Sequence, residues 1–493
     1  ATYPTQPRPA AVVSPASREQ AQACMRAAWE HGVPVYPYST GKNWGYGSRV
    51  PSADGAVLLH LGRMNRIVAL DEELAYVTLE PGVTQIQLHE HLKEKVGGRL
   101  WVDATASSPH SSVLGNTMER GHGVTRYADH VSTATGFEVV LADGTLLRTG
   151  FGALPGNNIA TLDRYGPGPC LDGIFSQSNL GVVTQATVWL MPAPESSAVA
   201  LFSVESAQEF QAAVDALRPL KLDGTIKSGP HFGNVYLSLL RARQYPWELT
   251  RGETPLRPEQ AVSLVRDLGV GMWNGTVAFY GSRDEVAAQR KRVSKALKAH
   301  TSRLVVFDDL VATVSSIIPE RRVRDAQRIY KQFTGAVSGT GLPRMYWRMK
   351  AAPPERVDDL DLDRAGVGLR YSTAAVPFTG RDAARAAAIA DEVLLRHRFE
   401  PNIGVFPTRD RVLQFHISTV YDRARVEDDG VVNACHDELL ARMMDAGYPP
   451  FRLGIEAMAV MQRADPAYLD ALRAIKRALD PKGILAPGRY IPA

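Results

Sequence analysis

Three glycine-punctuated segments carry most of the chemistry that residue type and spacing announce in this sequence. In STGKNWGYGS (residues 39–48), Gly41, Gly45 and Gly47 follow directly on the run VPVYPY. Glycine tolerates positive φ and lets a ligand approach the backbone, so successive N–H groups there can form a nest for an anion such as pyrophosphate. The spacing is neither GxGxxG nor GxxxxGK(S/T), which excludes the Rossmann and Walker A readings and leaves an ordinary tight loop as the alternative. A second segment, SSVLGNTMERGHGVTRYADH (residues 111–130), sets Gly115, Gly121 and Gly123 among Ser111, Ser112 and Thr117, whose hydroxyls can bond a ligand. A third, FSQSNLGVVT (residues 175–184), brings small polar residues and Gly181 into a valine run. With APGRY (residues 486–490) near the other end, the spread suits one long ligand spanning a domain, and a dinucleotide is the natural candidate.

Regular elements must hold these segments. SREQAQACMRAAWEH (residues 17–31) has a serine cap and apolar residues at helical spacing. VPVYPYST (residues 33–40) reads as a strand running into the first glycine loop, and a helix is expected near Thr84–Lys95. Asp143-Gly144 marks a hairpin turn inside GFEVVLADGTLLRT (residues 136–149). VVTQATVWLMPAPES (residues 182–196) reads as a strand ending at a proline-rich border. From Ala198 to about Ala441 longer helices alternate with short strands, and a last helix ends near Leu479. The expectation is an α+β protein with three stretches: residues 1–196, residues 197–441, and a returning segment 442–493.

Composition narrows the classes. The chain has 493 residues, with 45% hydrophobic and 22% charged residues, which is ordinary for a folded protein. A net charge of +4 is too dilute to imply nucleic acid, and the basic run Arg290–Lys298 is expected on a solvated helix face. No apolar run is long enough to span a membrane. Three cysteines, Cys24, Cys170 and Cys435, without CxxC spacing, exclude a disulfide framework and a cysteine zinc site, and no His/Cys/carboxylate set has metal-ligand spacing. The opening ATYPTQPRPA shows no apolar signal region, and the odd cysteine count fits a reducing, cytoplasmic setting.

The glycine segments, together with LHLGRMNRIVALDEELAYVTLEPGVT (residues 59–84), GFEVVLADGTLLRTGFGALPG (residues 136–156), YGPGPCLDGIFSQSNLGVVTQATVWLMP (residues 165–192) and GILAPGRY (residues 483–490), strongly resemble the vanillyl-alcohol oxidase / 4-cresol dehydrogenase flavoprotein family. The resemblance covers Ser17–Pro194 almost continuously, returns over Tyr421–Pro492, and holds only in outline between. It implies an FAD-binding domain built from both ends of the chain and a cap domain that forms the substrate pocket. It further implies that Ser39, Thr40, Gly41, Lys42, Asn43, Gly45, Tyr46 and Gly47 hold the pyrophosphate. Gly115, Asn116, Thr117, Gly121, Gly181 and Val182 would lie along the cofactor, with Arg489 at the flavin's polar edge.

The same resemblance implies catalytic roles. Asp129 in YADH would face flavin N5. Arg452 in GYPPFRLG would hold the phenolate oxygen, with Phe451 standing where the family has tyrosine, and Tyr46 as a pocket aromatic. In VLQFHISTVYDR, Gln414 occupies the position of a pocket histidine, with His416 two residues on. His122 and His130 are the remaining ring candidates. GVGLRYS (residues 366–372) puts Gly368 where the oxidase branch carries its flavin-linking histidine, so FAD is expected to be non-covalent, with Tyr371 as the lesser candidate for a tyrosyl link. The implied reaction is hydride abstraction from the benzylic carbon of a para-hydroxyphenyl compound through a quinone methide. Its outcome would be oxidative decarboxylation of a tyrosine-derived compound, as in the chondrochloren type, with alkylphenol oxidation or hydroxylation as the alternative. A rival without the family's chemistry is an oxidase of alcohols or hydroxy acids that needs no phenol, and a rival of another class is a flavin-binding protein without turnover. Oxygen or another acceptor would take the electrons, and a homodimer is expected from the resemblance.

Overall fold

The computed structural model describes residues 1–266, 269–308, 311 and 321–492, the side chains of 321–324 excepted. The first helix, Arg18–His31, begins as the sequence predicts: Ser17 Oγ accepts from the Gln20 N–H at 3.3 Å, and Gly32 closes the helix at φ +64°. Its apolar stripe of Ala21, Met25 and Ala28 packs on Val35, Leu59 and Val140. Val35–Tyr38 is the outer strand of a three-stranded parallel sheet with Val57–His60 and Ala11–Val13. Next to it lies a five-stranded antiparallel sheet in the order Ile67–Asp71, Tyr76–Leu79, Val182–Trp189, Ala134–Val140, Leu146–Arg148. The last two form the expected hairpin, with Gly144 at φ +84° in its turn.

The end of the chain returns to this unit. The Val35 N–H donates to the Ile484 carbonyl at 2.8 Å, and Ala486 N–H donates to the Val35 carbonyl at 2.7 Å. Helix Pro466–Leu479 lays Leu472, Ile475 and Leu479 on the five-stranded sheet's core. Lys476 Nζ ties it down by donating to the carbonyls of Asn179 (2.6 Å) and Leu485 (2.8 Å).

The intervening stretch folds as a seven-stranded antiparallel sheet, in the order Arg303–Asp308, Ser196–Val204, Trp273–Gly281, His231–Asn234, Asn402–Phe406, Val412–Asp422, Val367–Pro377. Helices Ala207–Leu222, Arg283–Leu297, Gly380–Arg396 and Val426–Asp445 cover one face. The basic run rides on the second of these, with Lys291, Arg292 and Lys295 outward while Val293 and Leu297 are buried. Period-two alternation decides what the other face carries. Along Val412–Asp422, Leu413, Phe415 and Ile417 enter the helix-covered core, and His416 and Ser418 turn towards the glycine segments. Along Val367–Pro377, Ala374 and Val376 face that core while Leu369 and Tyr371 face the glycine segments. Among the described residues, no helix is long and apolar enough to cross a membrane.

Candidate active site

A cavity of about 340 Å³ lies between the glycine segments and the exposed face of the seven-stranded sheet. The first glycine loop forms one wall. Gly41 (φ +70°) and Gly45 (φ +79°) take conformations that side chains resist, and a Cβ on Gly45 would collide with the Tyr371 ring. Thr2 fixes the loop to the cap: its Oγ1 accepts from Gly45 N–H at 2.9 Å and donates to the Leu369 carbonyl at 2.7 Å. The N–H groups of Gly41, Lys42, Asn43 and Trp44 find no acceptor among the described residues, so a row of donors is left beside the cavity. Lys42 stands 3.6 Å from Asp361 and 5.0 Å above the Trp44 ring. Also lining the cavity, Ser178 Oγ and Asn179 Oδ1 are buried without a hydrogen-bond partner among the described residues. Unsatisfied buried polar groups are costly, and together with the free N–H row they fit a long polar cofactor.

Ser39, Thr40, Gly115, Asn116, Gly121, Gly181, Val182 and Arg489 line this cavity. Thr117 does not: its Oγ1 donates to the Val113 carbonyl at 2.9 Å, away from the wall. Gly45 and Gly47 shape the loop without lining it, and Gly47 packs on Ile455.

At one end the Arg452 guanidinium lies over Tyr46, with Cζ 4.3 Å from the ring centroid, and donates through Nη2 to Asn43 Oδ1. Its Nε, 3.8 Å from Glu119 Oε2, makes no hydrogen bond. Glu119 also pairs with Arg489 and accepts from the Tyr490 hydroxyl at 3.1 Å. Arg489 in turn donates to the Tyr36 hydroxyl at 2.6 Å. Burial alone would raise the Glu119 pKa, but Arg489 and Arg452 outweigh it and hold the carboxyl below its usual range. Burial raises the Tyr46 phenol, opposed by Arg452, so Tyr46 stays protonated as a hydrogen-bond donor.

Beyond Tyr46 the wall is a row of rings. Tyr46 stacks on Tyr371 (5.3 Å, 15°), and Tyr371 meets His416 edge-on at 6.3 Å. His416 contacts Phe451 (5.0 Å) and Phe406 (5.3 Å), and Phe406 stacks on His231 at 4.4 Å. His122 Nε2 is 2.8 Å from His416 Nε2. Burial depresses both imidazoles, His122 to about 4 and His416 well below its ordinary value, with neighbouring cationic groups adding to the effect on His416.

Three residues named from the resemblance lie off the cavity wall in the structure. Asp129 does not line the cavity; its carboxylate is held by Arg409 at 2.8 Å. Gln414 is buried off the cavity wall, which its strand reaches through His416 and Ser418. Gly368 points its α-hydrogens at the Tyr421 ring on the helix-covered face, whereas Tyr371 lines the cavity. Sequence reasoning missed Glu119, although MERG lay inside a quoted segment. It also missed His231, Phe406, Arg241 and Arg344, which no local pattern distinguishes. His130 sits outside the cavity, with Nδ1 2.6 Å from Asn116 Oδ1.

Residues 9–150 match the FAD binding domain family, and residues 453–490 match the C-terminal domain of FAD linked oxidases. The chain is 41% identical to 1'-carboxy-chondrochloren decarboxylase of Chondromyces crocatus, over 99% of this chain and 92% of that protein. It is 31% identical to the flavoprotein subunit of hydroxylating 4-cresol dehydrogenase of Pseudomonas putida, over 98% of this chain and 87% of that one. The crystal structure of p-cresol methylhydroxylase with substrate bound superposes with a TM-score of 0.89 at 29% identity, covering 98% of this chain and 89% of that chain. The isoeugenol complex of 4-ethylphenol oxidase from Gulosibacter chungangensis gives 0.88 at 28%, with the same coverage. Fold and cavity thus define an FAD-dependent oxidoreductase. The chain belongs to the vanillyl-alcohol oxidase / 4-cresol dehydrogenase flavoprotein family.

Proposed function

We propose that this oxidoreductase removes hydride from the benzylic carbon of a para-hydroxyphenyl substrate and that the resulting quinone methide loses CO₂ to give a styryl product. The observation that carries the phenol half is Arg452. It is a largely buried guanidinium on the cavity wall, anchored by Asn43 and 4.3 Å from the Tyr46 ring centroid, and a cation so placed can hold an oxyanion. A phenolate held there pushes electron density to the para carbon, which makes hydride loss easier. Bound FAD supplies the hydride acceptor. Residues Ser39–Asn43, Gly115 and Arg489 would hold it. Tyr46 donates to the phenolate, and the His122–His416 pair, neutral because burial depresses both imidazoles, lines the pocket without adding a charge beside the reacting carbon. The rings of Tyr371, Phe406 and Phe451 keep water away from it. The 41% identity to a carboxy-chondrochloren decarboxylase supports CO₂ loss over water addition.

The test is anaerobic mixing of the FAD-loaded protein with an N-acyl tyrosine and, separately, with a para-alkylphenol. Flavin bleaching by the N-acyl tyrosine, with a product lighter by CO₂ and two hydrogens, is the expected result. Bleaching by the alkylphenol alone, with an alcohol formed, would move the protein to the hydroxylating branch. Bleaching by neither rules out phenol chemistry.

A further inference from the structure

Next to His231, the last ring in the row that starts at Arg452, two guanidinium groups enter the same cavity. Arg241 lies in the last turn of helix Val235–Ala242, and Arg344 lies in the 3₁₀ turn Leu342–Tyr346. The Arg241 guanidinium is open to the cavity while protein surrounds it. Among the described residues neither arginine has a hydrogen-bonded or ion-paired carboxylate. Among the described residues Arg344 Nε and His231 Nε2 are both buried without a partner, and His231 is only 7% exposed. The nearest acidic influence on Arg241 is Asp325, which is already paired with Arg328 at 3.0 Å. Burial, then Arg344 and Arg328, pull Arg241 down to about 9.

Two guanidinium groups that face one cavity, with no counter-ion among the described residues, repel each other, and a bound anion would relieve that cost. The planar fork of arginine matches a carboxylate in bidentate geometry. We infer that Arg241 and Arg344, with His231 beside them, form a subsite for the carboxylate of the substrate, opposite the phenolate site at Arg452. This rests on the reading of the substrate as a tyrosine-derived acid. The subsite orders the reaction. A carboxylate held by two cations is stabilised as an anion, so its bond to carbon stays intact until hydride has left the benzylic carbon for bound FAD. In the quinone methide that follows, the electron pair of the carbon–carboxylate bond moves into the new double bond, the ring regains its aromatic phenolate, and CO₂ leaves neutral. The product has no charge left for the arginines, and its hold on the pocket weakens.

The experiment measures binding rather than turnover. N-acetyl-tyrosine and N-acetyl-tyramine share the phenol and the amide and differ in the carboxylate. Calorimetric titration of the FAD-loaded protein, its flavin reduced beforehand under anaerobic conditions so that neither compound turns over, should show the tyrosine compound bound at least about tenfold more tightly. Arg241→Gln and Arg344→Gln should each reduce that preference, and the double variant should remove it, while affinity for N-acetyl-tyramine stays unchanged. Arg241→Lys, which keeps a charge but not the fork, should fall between. Equal affinities in the unaltered protein, or a preference that survives in the double variant, would overturn the subsite. Should the variants lose FAD or fold, Arg241→Lys carries the test alone: a preference undiminished there also overturns it. Failure of the phenol reading looks different, because then neither compound bleaches the flavin even if the tyrosine compound binds tightly.

Discussion

The Nε2 atoms of His122 and His416 lie 2.8 Å apart, and the carbonyl of Gly123 decides which of them carries the proton. A carbonyl can only accept, so the 3.1 Å contact of His122 Nδ1 with Gly123 places a hydrogen on Nδ1. The His122 Nε2 lone pair then accepts from His416 Nε2–H, which leaves His416 Nδ1 unprotonated. A second proton on His122, at Nε2, would break this arrangement, while burial and neighbouring positive charge disfavour one on His416, in line with the depressed pKa of both. In the unfolded chain these imidazoles titrate at their ordinary value of about 6.5. Between there and about 4 for His122, the unfolded state binds more protons than the folded one, so stability falls as pH falls. Melting temperatures recorded from about pH 7 down to about pH 4 should decline, and His122→Asn should flatten the slope. A slope identical in the variant would show that the pair contributes nothing to it.

Arg452→Ala should slow flavin reduction by a para-hydroxyphenyl substrate by about 10²-fold or more, the range found when one donor to a developing oxyanion is removed. Rapid mixing under anaerobic conditions measures it directly. FAD content should be retained, because the cofactor wall is built mainly from residues 39–43 and 115–121. A variant that reduces at the original rate would return Arg452 to a purely structural role.

Glu119→Gln tests the charge balance beneath that arginine. The carboxylate stands against Arg452 and Arg489 at once, and its loss leaves two buried guanidinium groups without their counter-ion. Removing one partner of a buried ion pair costs about 3–5 kcal/mol. Glu119 faces the cavity, which softens the cost, so the lower end of that range is expected in a denaturant titration. An unchanged midpoint would show that neighbouring dipoles already balance the arginines.

Asp129→Ala should leave the reduction rate within about threefold and stability within about 1 kcal/mol, the usual value of a partly exposed ion pair. Its carboxylate engages Arg409, whose side chain is 53% exposed. A rate loss of several orders of magnitude would mean that Asp129 turns into the cavity when substrate binds.

What the sequence disclosed and what it hid follow one physical division. The glycine loop at residues 39–48, the Ser17 cap and the Asp143-Gly144 turn are local, because backbone conformation there demands particular residue types. The site's charges and rings are not local. His122 meets His416 across 294 positions, and Arg409 captures Asp129 across 280. Such contacts exist only once the cap sheet lies over the glycine segments, so no spacing rule signals them. Arg241 and Arg344 are ordinary helix and turn residues until the cavity forms around them. Strand register misled at one position: Gly368 and Leu369 differ by one residue and therefore face opposite sides of the sheet.

That register decides how the cofactor question is tested. A Cβ on Gly368 would come within 2.5 Å of the Tyr421 ring, which is fully buried, so Gly368→His should cripple folding rather than create an attachment point. Tyr371 lines the cavity, but its ring is stacked on Tyr46 and its N–H is bonded to the Gly45 carbonyl at 3.1 Å. A side chain committed to a ring stack is poorly placed to bond a cofactor methyl group, and we expect FAD to be held by hydrogen bonds alone. Acid precipitation of the loaded protein should leave the yellow colour in the supernatant, and intact-mass measurement should return the mass of the bare chain. A flavin-sized addition to that mass, lost in Tyr371→Phe, would establish the tyrosyl bond instead. If the addition persisted in Tyr371→Phe, the attachment would lie elsewhere on the cavity wall.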